Sequence, residues 1–95
     1  MLNLDYHNIK VGRYGKTNQI VVKGEVTNNS GRPYSAVAVR VVIFIKSITI
    51  ANVVFTINGL LNGSSKEFEK VLDDLEYEQV AKDITRCEMY TESAY

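Results

Sequence analysis

Residues 34–46 decide the fold, and they read YSAVAVRVVIFIK. Side chains in a β-strand alternate between the two faces of the sheet, so neighbouring positions separate onto opposite faces. One face carries Val37, Val39, Val41, Ile43 and Ile45, and the other carries Ala36, Ala38, Arg40, Val42 and Phe44. The second half of the stretch is apolar on both faces, which is typical of a central strand. We therefore predict a long central strand over residues 34–46.

Five further runs rich in Val, Ile, Thr and Tyr flank this strand, and turns containing Gly, Asn, Ser or Pro separate them. They cover residues 2–11, 19–27, 48–58, 66–72 and 84–91. Six or seven short strands predict one all-β domain over residues 1–95, an immunoglobulin-like antiparallel β-sandwich. The alternation of apolar residues predicts a core that includes Val22, Val26, Val39, Val41, Phe55 and Phe68.

Residues 73–83 differ from the strand runs. They are acidic, contain no Gly or Pro, and carry Tyr77, Val80 and Ala81 at the spacing of one helix face, continued by Ile84. Asp73 or Asp74 would cap the first turn. We therefore predict a short helix near residues 73–83 that joins two sheets.

The charge balance restricts the classes of partner. Eleven basic and eleven acidic side chains cancel, whereas nucleic-acid binding needs a surplus of Lys and Arg. The same balance argues against a polybasic membrane patch. The longest apolar run, residues 37–45, contains Arg40 and is too short to span a bilayer. We expect no nucleic-acid partner and no membrane insertion by this segment.

Reactive side chains are scarce. His7 is the only histidine and Cys87 is the only cysteine, so no intramolecular disulfide forms, and zinc lacks its three or four ligands. The acidic residues between Glu67 and Glu78 lack the pattern of a calcium loop, and a solvated face explains them. We expect no enzyme activity, cofactor or metal, a buried inert thiol at Cys87, and His7 on an outward face. The alternative is a small-ligand carrier or weak enzyme that uses a cleft near Cys87 and His7, because the chain termini often meet in a sandwich.

Three motifs resemble the FxLYD domain family of small sandwich modules. They are Gly24-x-Val26-x-Asn28-x-Ser30, Tyr34-Ser35-x-Val37-x-Val39-x-Val41 and Gly59-Leu60-x-x-Gly63-x-x-x-x-Phe68. Together they cover roughly residues 19–72. Where that family has Phe-x-Leu-Tyr-Asp, this chain has Val41-Val42-Ile43-Phe44-Ile45. The resemblance implies a non-catalytic accessory module, common in prokaryotic envelope and secreted proteins, and it assigns no functional residue. It implies an envelope or secreted location if the chain is an excised domain; otherwise we expect a cytoplasmic one.

An interaction surface is the remaining candidate site. Residues 47–57 contain no charged residue and no Pro, whereas natural edge strands are usually guarded by such residues. If this run is an edge, we expect it to pair with its copy in a homodimer or with a strand of a protein partner. The alternative is a central strand. The candidate contact residues are Tyr14, Tyr34, Ile48, Ile50 and Val54, and the two tyrosines would line one end of the sandwich.

Overall fold

The computed structural model describes residues 3–95 and has the predicted antiparallel sandwich architecture. The strands are β1 (Leu4–Arg13), β2 (Gln19–Asn28), β3 (Tyr34–Ile45), β4 (Ile48–Leu60), β5 (Ser65–Glu76) and β6 (Arg86–Ala94). One sheet has the order β1-β2-β5 and the other has the order β4-β3-β6. Leu2, where the first strand was predicted to begin, lies outside the described residues. The prediction of an all-β, immunoglobulin-like fold is confirmed.

Strand β3 occupies the centre of its sheet, as its apolar pattern predicts. It pairs antiparallel with β4 on one side and with β6 on the other. Val37, Val39, Val41 and Ile43 face inward and are fully buried, whereas Val42, on the outer face, is still only 8% exposed. The strand is thus covered along both edges and on its inner face.

The core between the sheets consists of two apolar clusters. The first contains Val26, Tyr34, Val37, Val39, Ile57, Leu60 and Phe68, and the second contains Ile20, Val22, Val41, Ile43 and Leu72. Five of the six predicted core residues are buried. Phe55 is the exception, because it lies on β4 at the side of the sandwich and is only partly covered. Its ring centroid lies 5.6 Å from that of Phe68, so it still packs against the first cluster.

The predicted helix near residues 73–83 is shorter than expected. Strand β5 continues to Glu76, so Asp73 and Asp74 are strand residues and cap no helix. The helix α1 covers only Tyr77–Val80, and a 3₁₀ turn follows over Ala81–Asp83. Asn18, in the β1–β2 loop, caps α1: its backbone oxygen accepts from the Tyr77 N–H at 2.8 Å, and its Oδ1 accepts from the Glu78 N–H at 2.9 Å. A cap from such a distant part of the chain has no local sequence signature.

Gly24 lies opposite a β-bulge in the first sheet. The pairing of β1 with β2 shifts between His7 and Lys10, and Asn8 adopts a positive φ of 54° there. The side chains of Ile9 and Phe68 cover Gly24 on the core face, and a Cβ added at Gly24 would lie 2.7 Å from Phe68 Cζ. The lack of a side chain at Gly24 therefore lets Ile9 and Phe68 pack closely against β2.

The edge strands of the two sheets meet along both sides of the sandwich, and the contacts differ between the two sides. On one side β1 lies against β6, where the Tyr6 hydroxyl and Thr91 Oγ1 form a hydrogen bond of 2.5 Å. On the other side β4 lies against β5, and we call this side the β4–β5 seam. At this seam an edge strand of one sheet meets an edge strand of the other.

Candidate interaction site

Strand β4 is an edge strand, which decides between the two alternatives for residues 47–57. Its only strand neighbour within residues 3–95 is β3. No charged residue occurs from Ser47 to Ser65, so no charged side chain of β4 itself protects the unpaired N–H and C=O groups along its free edge. Such groups form a ready template for pairing with another strand.

The other three edge strands carry recognised protections. Strand β1 is interrupted by the bulge at Asn8 and Ile9, and bulges disturb strand pairing. Strand β6 carries Arg86, Glu88 and Glu92. In β5, Lys66 and Lys70 occupy the same parity as the buried Phe68 and Leu72, and inward-pointing charges are a known guard of sheet edges. Strand β4 differs from β5 and β6 in carrying no charged residue, and its bulge at Ile50 lies near its amino end.

The edge of β4 is regular over most of its length. Residues 51–60 keep one register with β3, whereas Ile50 is the extra residue of a bulge between the Ile43–Ala51 and Phe44–Thr49 pairs. Ile48 is 65% exposed next to the β3–β4 hairpin, and Val54 is 46% exposed on the outer face. The carboxyl end is covered, because the Lys66 ammonium donates to the carbonyl oxygens of Asn58 and Gly59.

A groove of about 310 Å³ opens in the β4–β5 seam beside the amino half of β4. Ile50, Ala51, Asn52 and Val53 line it on β4, and residues 70–75 line it on β5. Its floor is apolar, since Leu72 belongs to the second core cluster and Ile50, Val53 and Leu75 pack against that cluster. Ile50 thus lies where an added strand would place a side chain.

The outer face of the second sheet carries a symmetric row of side chains. Arg40, on the central strand, pairs with Val54 of β4 on one side and with Tyr90 of β6 on the other. Val54 and Tyr90 are exposed to similar extents, 46% and 47%. Arg40 is itself engaged by Asn52 and Glu92. The row offers one matched position on each edge of the sheet.

The two candidate tyrosines lie at opposite ends of the first sheet's middle strand. Tyr14 lies in the loop before β2 and is 41% exposed. Tyr34 follows β2 at its other end, is only 5% exposed, and belongs to the first core cluster. The Arg32 guanidinium lies 5.6 Å from the Tyr34 ring centroid and covers the ring. The expectation that both tyrosines line one end was therefore wrong, because β2 separates them and Tyr34 packs inward.

His7 and Cys87 are not brought together. The His7 Nε2 lies 3.0 Å from Glu25 Oε2 on the outer face of the first sheet, whereas Cys87 packs against the second core cluster. Burial raises the pKa of the Cys87 thiol to about 11, and the nearby Glu88 carboxylate adds to this effect. The two side chains therefore lie in different sheets, His7 in β1 and Cys87 in β6.

Asn28 is a structural residue whose role the sequence did not reveal. It is fully buried, its Nδ2 donates to the carbonyl oxygens of Arg32 at 2.8 Å and Leu60 at 3.1 Å, and its Oδ1 accepts from the backbone N–H of Ser30 at 3.0 Å. The Ser30 hydroxyl donates to the same Oδ1 at 2.6 Å. Asn28 therefore joins the β2–β3 turn to the end of β4. Its position in an Asn-rich turn was the only available signal.

Among residues 3–95, no three His, Cys, Asp or Glu side chains are grouped closely enough to hold a metal ion. None of the helices described in this range combines the length and apolar character needed to cross a bilayer.

Comparison with known proteins supports the fold and no finer assignment. The chain is similar in structure to a DUF1425 family member from Shewanella sp. pv-4, with a TM-score of 0.62 and 11% sequence identity. The match covers 99% of this chain and 81% of the other. No protein-family model matches the sequence, and no curated protein matches it either. At this identity the likeness shows a shared β-rich fold.

Proposed function

We propose that this domain is a non-catalytic interaction module, resembling FxLYD modules, that binds a protein strand along the free edge of β4. The partner is another protein or a second copy of the chain. The observation that carries the proposal is that β4 is an edge strand without a charged residue over its 13 positions. Strand addition gives affinity through backbone hydrogen bonds, and the side-chain pockets beside the edge give specificity.

The chemistry of the side chains supports a binding role over an enzymatic one. A general base must reach its substrate and be correctly protonated, but His7 is engaged with Glu25 on an outer face. A nucleophilic cysteine reacts as the thiolate, and the raised pKa of Cys87 keeps this thiol protonated at neutral pH. The resemblance to FxLYD modules also implies a domain without catalytic residues.

The test uses extended peptides selected from a random displayed library on the wild-type domain. The selected peptides are then measured against Val54→Lys, which places a charge on the β4 edge, and against the matched control Tyr90→Lys. Both positions flank Arg40 and are similarly exposed. We expect Val54→Lys to weaken binding about tenfold or more and Tyr90→Lys to leave it nearly unchanged, as guarded edges resist strand addition.

Light scattering over a concentration series on the same three proteins measures self-association. A wild-type dimer that Val54→Lys dissociates and Tyr90→Lys retains would identify the second copy as the partner. If no peptide is selected and the wild type stays monomeric, β4 is not an interaction edge and the proposal fails. Equal loss of binding in both variants would place the contact on the outer face of the sheet instead.

A further inference from the structure

We propose that the partner of the β4 edge is a second copy of this chain, which pairs antiparallel with β4 about a two-fold axis at Val54. Each copy contributes the three strands of its second sheet, so the dimer contains one continuous sheet with the two β4 strands at its centre. This inference rests on the proposed function and names the partner and the register of that same edge.

The backbone groups at the free edge of β4 belong to alternate residues. On the other side of β3, the Ala36 carbonyl oxygen accepts from the Tyr95 N–H at 2.9 Å. The Phe44 carbonyl oxygen accepts from the Thr85 N–H at 2.9 Å. The even-numbered residues of β3 thus direct their backbone groups away from β4, because the N–H and C=O of one residue in an antiparallel strand point to the same side. Their partners on β4 direct these groups to the free edge, and they are Asn52, Val54, Thr56 and Asn58.

The open part of this edge is centred on Val54. The bulge at Ile50 interrupts the edge four residues before Val54. The Lys66 ammonium contacts the Asn58 carbonyl oxygen four residues after it. Between these limits, residues 51–57 keep one register with β3. The donors and acceptors open to a new strand therefore belong to Val54 and to the residues two positions on either side of it.

A two-fold axis at Val54 uses all of these groups. In an antiparallel pair about such an axis, Val54 lies opposite Val54 of the second copy. Asn52 lies opposite Thr56 of the second copy, and this pair occurs once on each side of the axis. Residues that face each other with their backbone groups exchange two N–H···O bonds. The pattern of open groups on β4 is thus complementary to itself.

A neighbouring register wastes part of the edge. Moving the axis one residue toward the amino end places Thr56 opposite the bulge at Ile50 of the second copy. Moving it one residue toward the carboxyl end places Asn52 opposite Asn58, whose carbonyl oxygen is already bound by an ammonium group. The register centred on Val54 is therefore the one that pairs all three open residues.

The outer-face side chains match across this axis. Val54 is 46% exposed, and in the dimer it packs against its own copy. The Asn52 side chain accepts from the Arg40 guanidinium through its Oδ1, so its Nδ2 can donate to the Thr56 hydroxyl of the second copy. Apolar and polar side chains therefore meet partners of their own kind.

The inner-face side chains match as well. Val53 lies opposite Phe55 of the second copy, and Ala51 lies opposite Ile57. Aromatic and β-branched side chains form favourable cross-strand pairs. Val53 and Phe55 are only partly buried in one chain and pack at the margin of the core, so a second copy covers apolar surface that one chain leaves open.

The lack of charge on β4 also suits a copy as the partner. Near a two-fold axis each side chain lies close to its own copy, so a charged residue would meet a like charge, and like charges directly opposite destabilise a strand pair. No charged residue occurs from Ser47 to Ser65. The net charge of zero provides no long-range repulsion between copies. The strand itself therefore carries no side chain that would repel its copy.

The experiment traps the register with disulfides in a Cys87→Ala background. Val54→Cys, Asn52→Cys and Thr56→Cys are each equilibrated in a glutathione redox buffer, and crosslinked dimer is measured by non-reducing electrophoresis. Directly opposite residues have Cα atoms about 4.5–5.5 Å apart, within the reach of a disulfide. The two copies of residue 52, or of residue 56, would be offset by roughly 13 Å along the strands, which is beyond that reach.

We expect Val54→Cys to form the crosslinked dimer by itself. Asn52→Cys and Thr56→Cys should stay monomeric separately and form a mixed disulfide when the two proteins are combined. The control is Tyr90→Cys on β6, since Tyr90 is as exposed as Val54. It should form roughly tenfold less dimer, because β6 is a charged edge that resists pairing.

The outcomes separate this inference from the proposed function. Self-linking through Asn52→Cys or Thr56→Cys would overturn the axis at Val54. Equal linking through Tyr90→Cys, or a wild type that light scattering shows to be monomeric at high concentration, would overturn the second copy as the partner. The proposed function survives these results if the selected library peptides still bind along β4, and it fails if they do not.

Discussion

The ammonium group of Lys66 in β5 lies 3.3 Å from the carbonyl oxygen of Gly59 in β4, and it also contacts the carbonyl oxygen of Asn58. One side chain of the first sheet thus satisfies unpaired acceptors at the edge of the second. We predict that Lys66→Met lengthens the accessible edge and increases self-association, because backbone acceptors become free to pair with another chain. Light scattering as a function of concentration measures this change.

The control for Lys66→Met is Lys23→Met, which also removes one positive charge. Lys23 lies on the middle strand of the first sheet and is paired with Glu69, so its loss leaves the β4 edge unchanged. If both variants associate equally, the effect comes from net charge. If neither associates, Lys66 does not protect the edge.

The sequence predicts those parts of the fold that depend on local patterns. The second half of residues 34–46 is apolar on both faces, so the central position of this strand was predictable. The position of β4 at an edge was not, because it depends on which distant strands pair with β3. Tyr34 follows a turn and has the opposite parity to Val37 and Val39, so its sequence position predicts an outward side chain. Packing at the end of the sandwich buries it instead. The predicted helix near residues 73–83 is longer than the observed one. Leu72 and Leu75 suit a strand as well as a helix, and β5 continues to Glu76.

The Cys87 thiol should react slowly with a disulfide reagent in the native state near neutral pH. Burial raises its pKa from the ordinary value of 9.0 to about 11, and only the thiolate is the nucleophile. The native rate should therefore rise between pH 9 and pH 11, whereas the rate in denaturant should already be high near pH 9. Rapid native labelling at neutral pH would contradict this prediction.

The same pKa shift makes stability depend on pH. The native thiol keeps its proton above pH 9, where the unfolded thiol loses it. The contribution of this group to the free energy of unfolding is therefore complete below about pH 9 and is lost as the pH rises toward 11. Urea titrations of wild type and Cys87→Ala across this range should converge as the pH rises. A difference that stays constant would show that the thiol does not titrate differently in the two states.

Asn28→Ala should lower the free energy of unfolding by about 1–3 kcal/mol, since buried backbone groups lose their partners. The carbonyl oxygens of Arg32 and Leu60 and the N–H of Ser30 are affected. Asn62→Ala is the matched control in the neighbouring turn, because Asn62 is exposed and its Oδ1 accepts one bond, from the Gly31 N–H at 3.0 Å. Urea unfolding of both variants tests the difference, and equal losses would contradict a special role for Asn28.

Val41→Ala should cost about 1–3 kcal/mol of stability, because a fully buried side chain is removed and a cavity remains. Val54→Ala removes the same atoms from a position that is 46% exposed, and surface changes of this kind usually stay within about 0.5 kcal/mol. Thermal or urea unfolding compares the pair. Similar losses in both variants would show that the inward face of the second sheet is assigned incorrectly.

Gly24→Ala should destabilise the domain by about 1–3 kcal/mol, the usual cost of overpacking a filled core. The added Cβ would lie 2.7 Å from Phe68 Cζ and still closer to Ile9 Cδ1, so both side chains would have to move. Ile9→Val removes the Cδ1 atom, and we expect Gly24→Ala to cost less in that background than in the wild type. Gly12→Ala is the control, because no heavy atom lies within 4 Å of a Cβ added there. Urea unfolding of the wild type, Gly24→Ala, Ile9→Val and the double variant forms a double-mutant cycle. Additive losses for Gly24→Ala and Ile9→Val would mean that the Ile9 contact is not the cause, and a neutral Gly24→Ala would mean that the bulge opposite Gly24 yields freely.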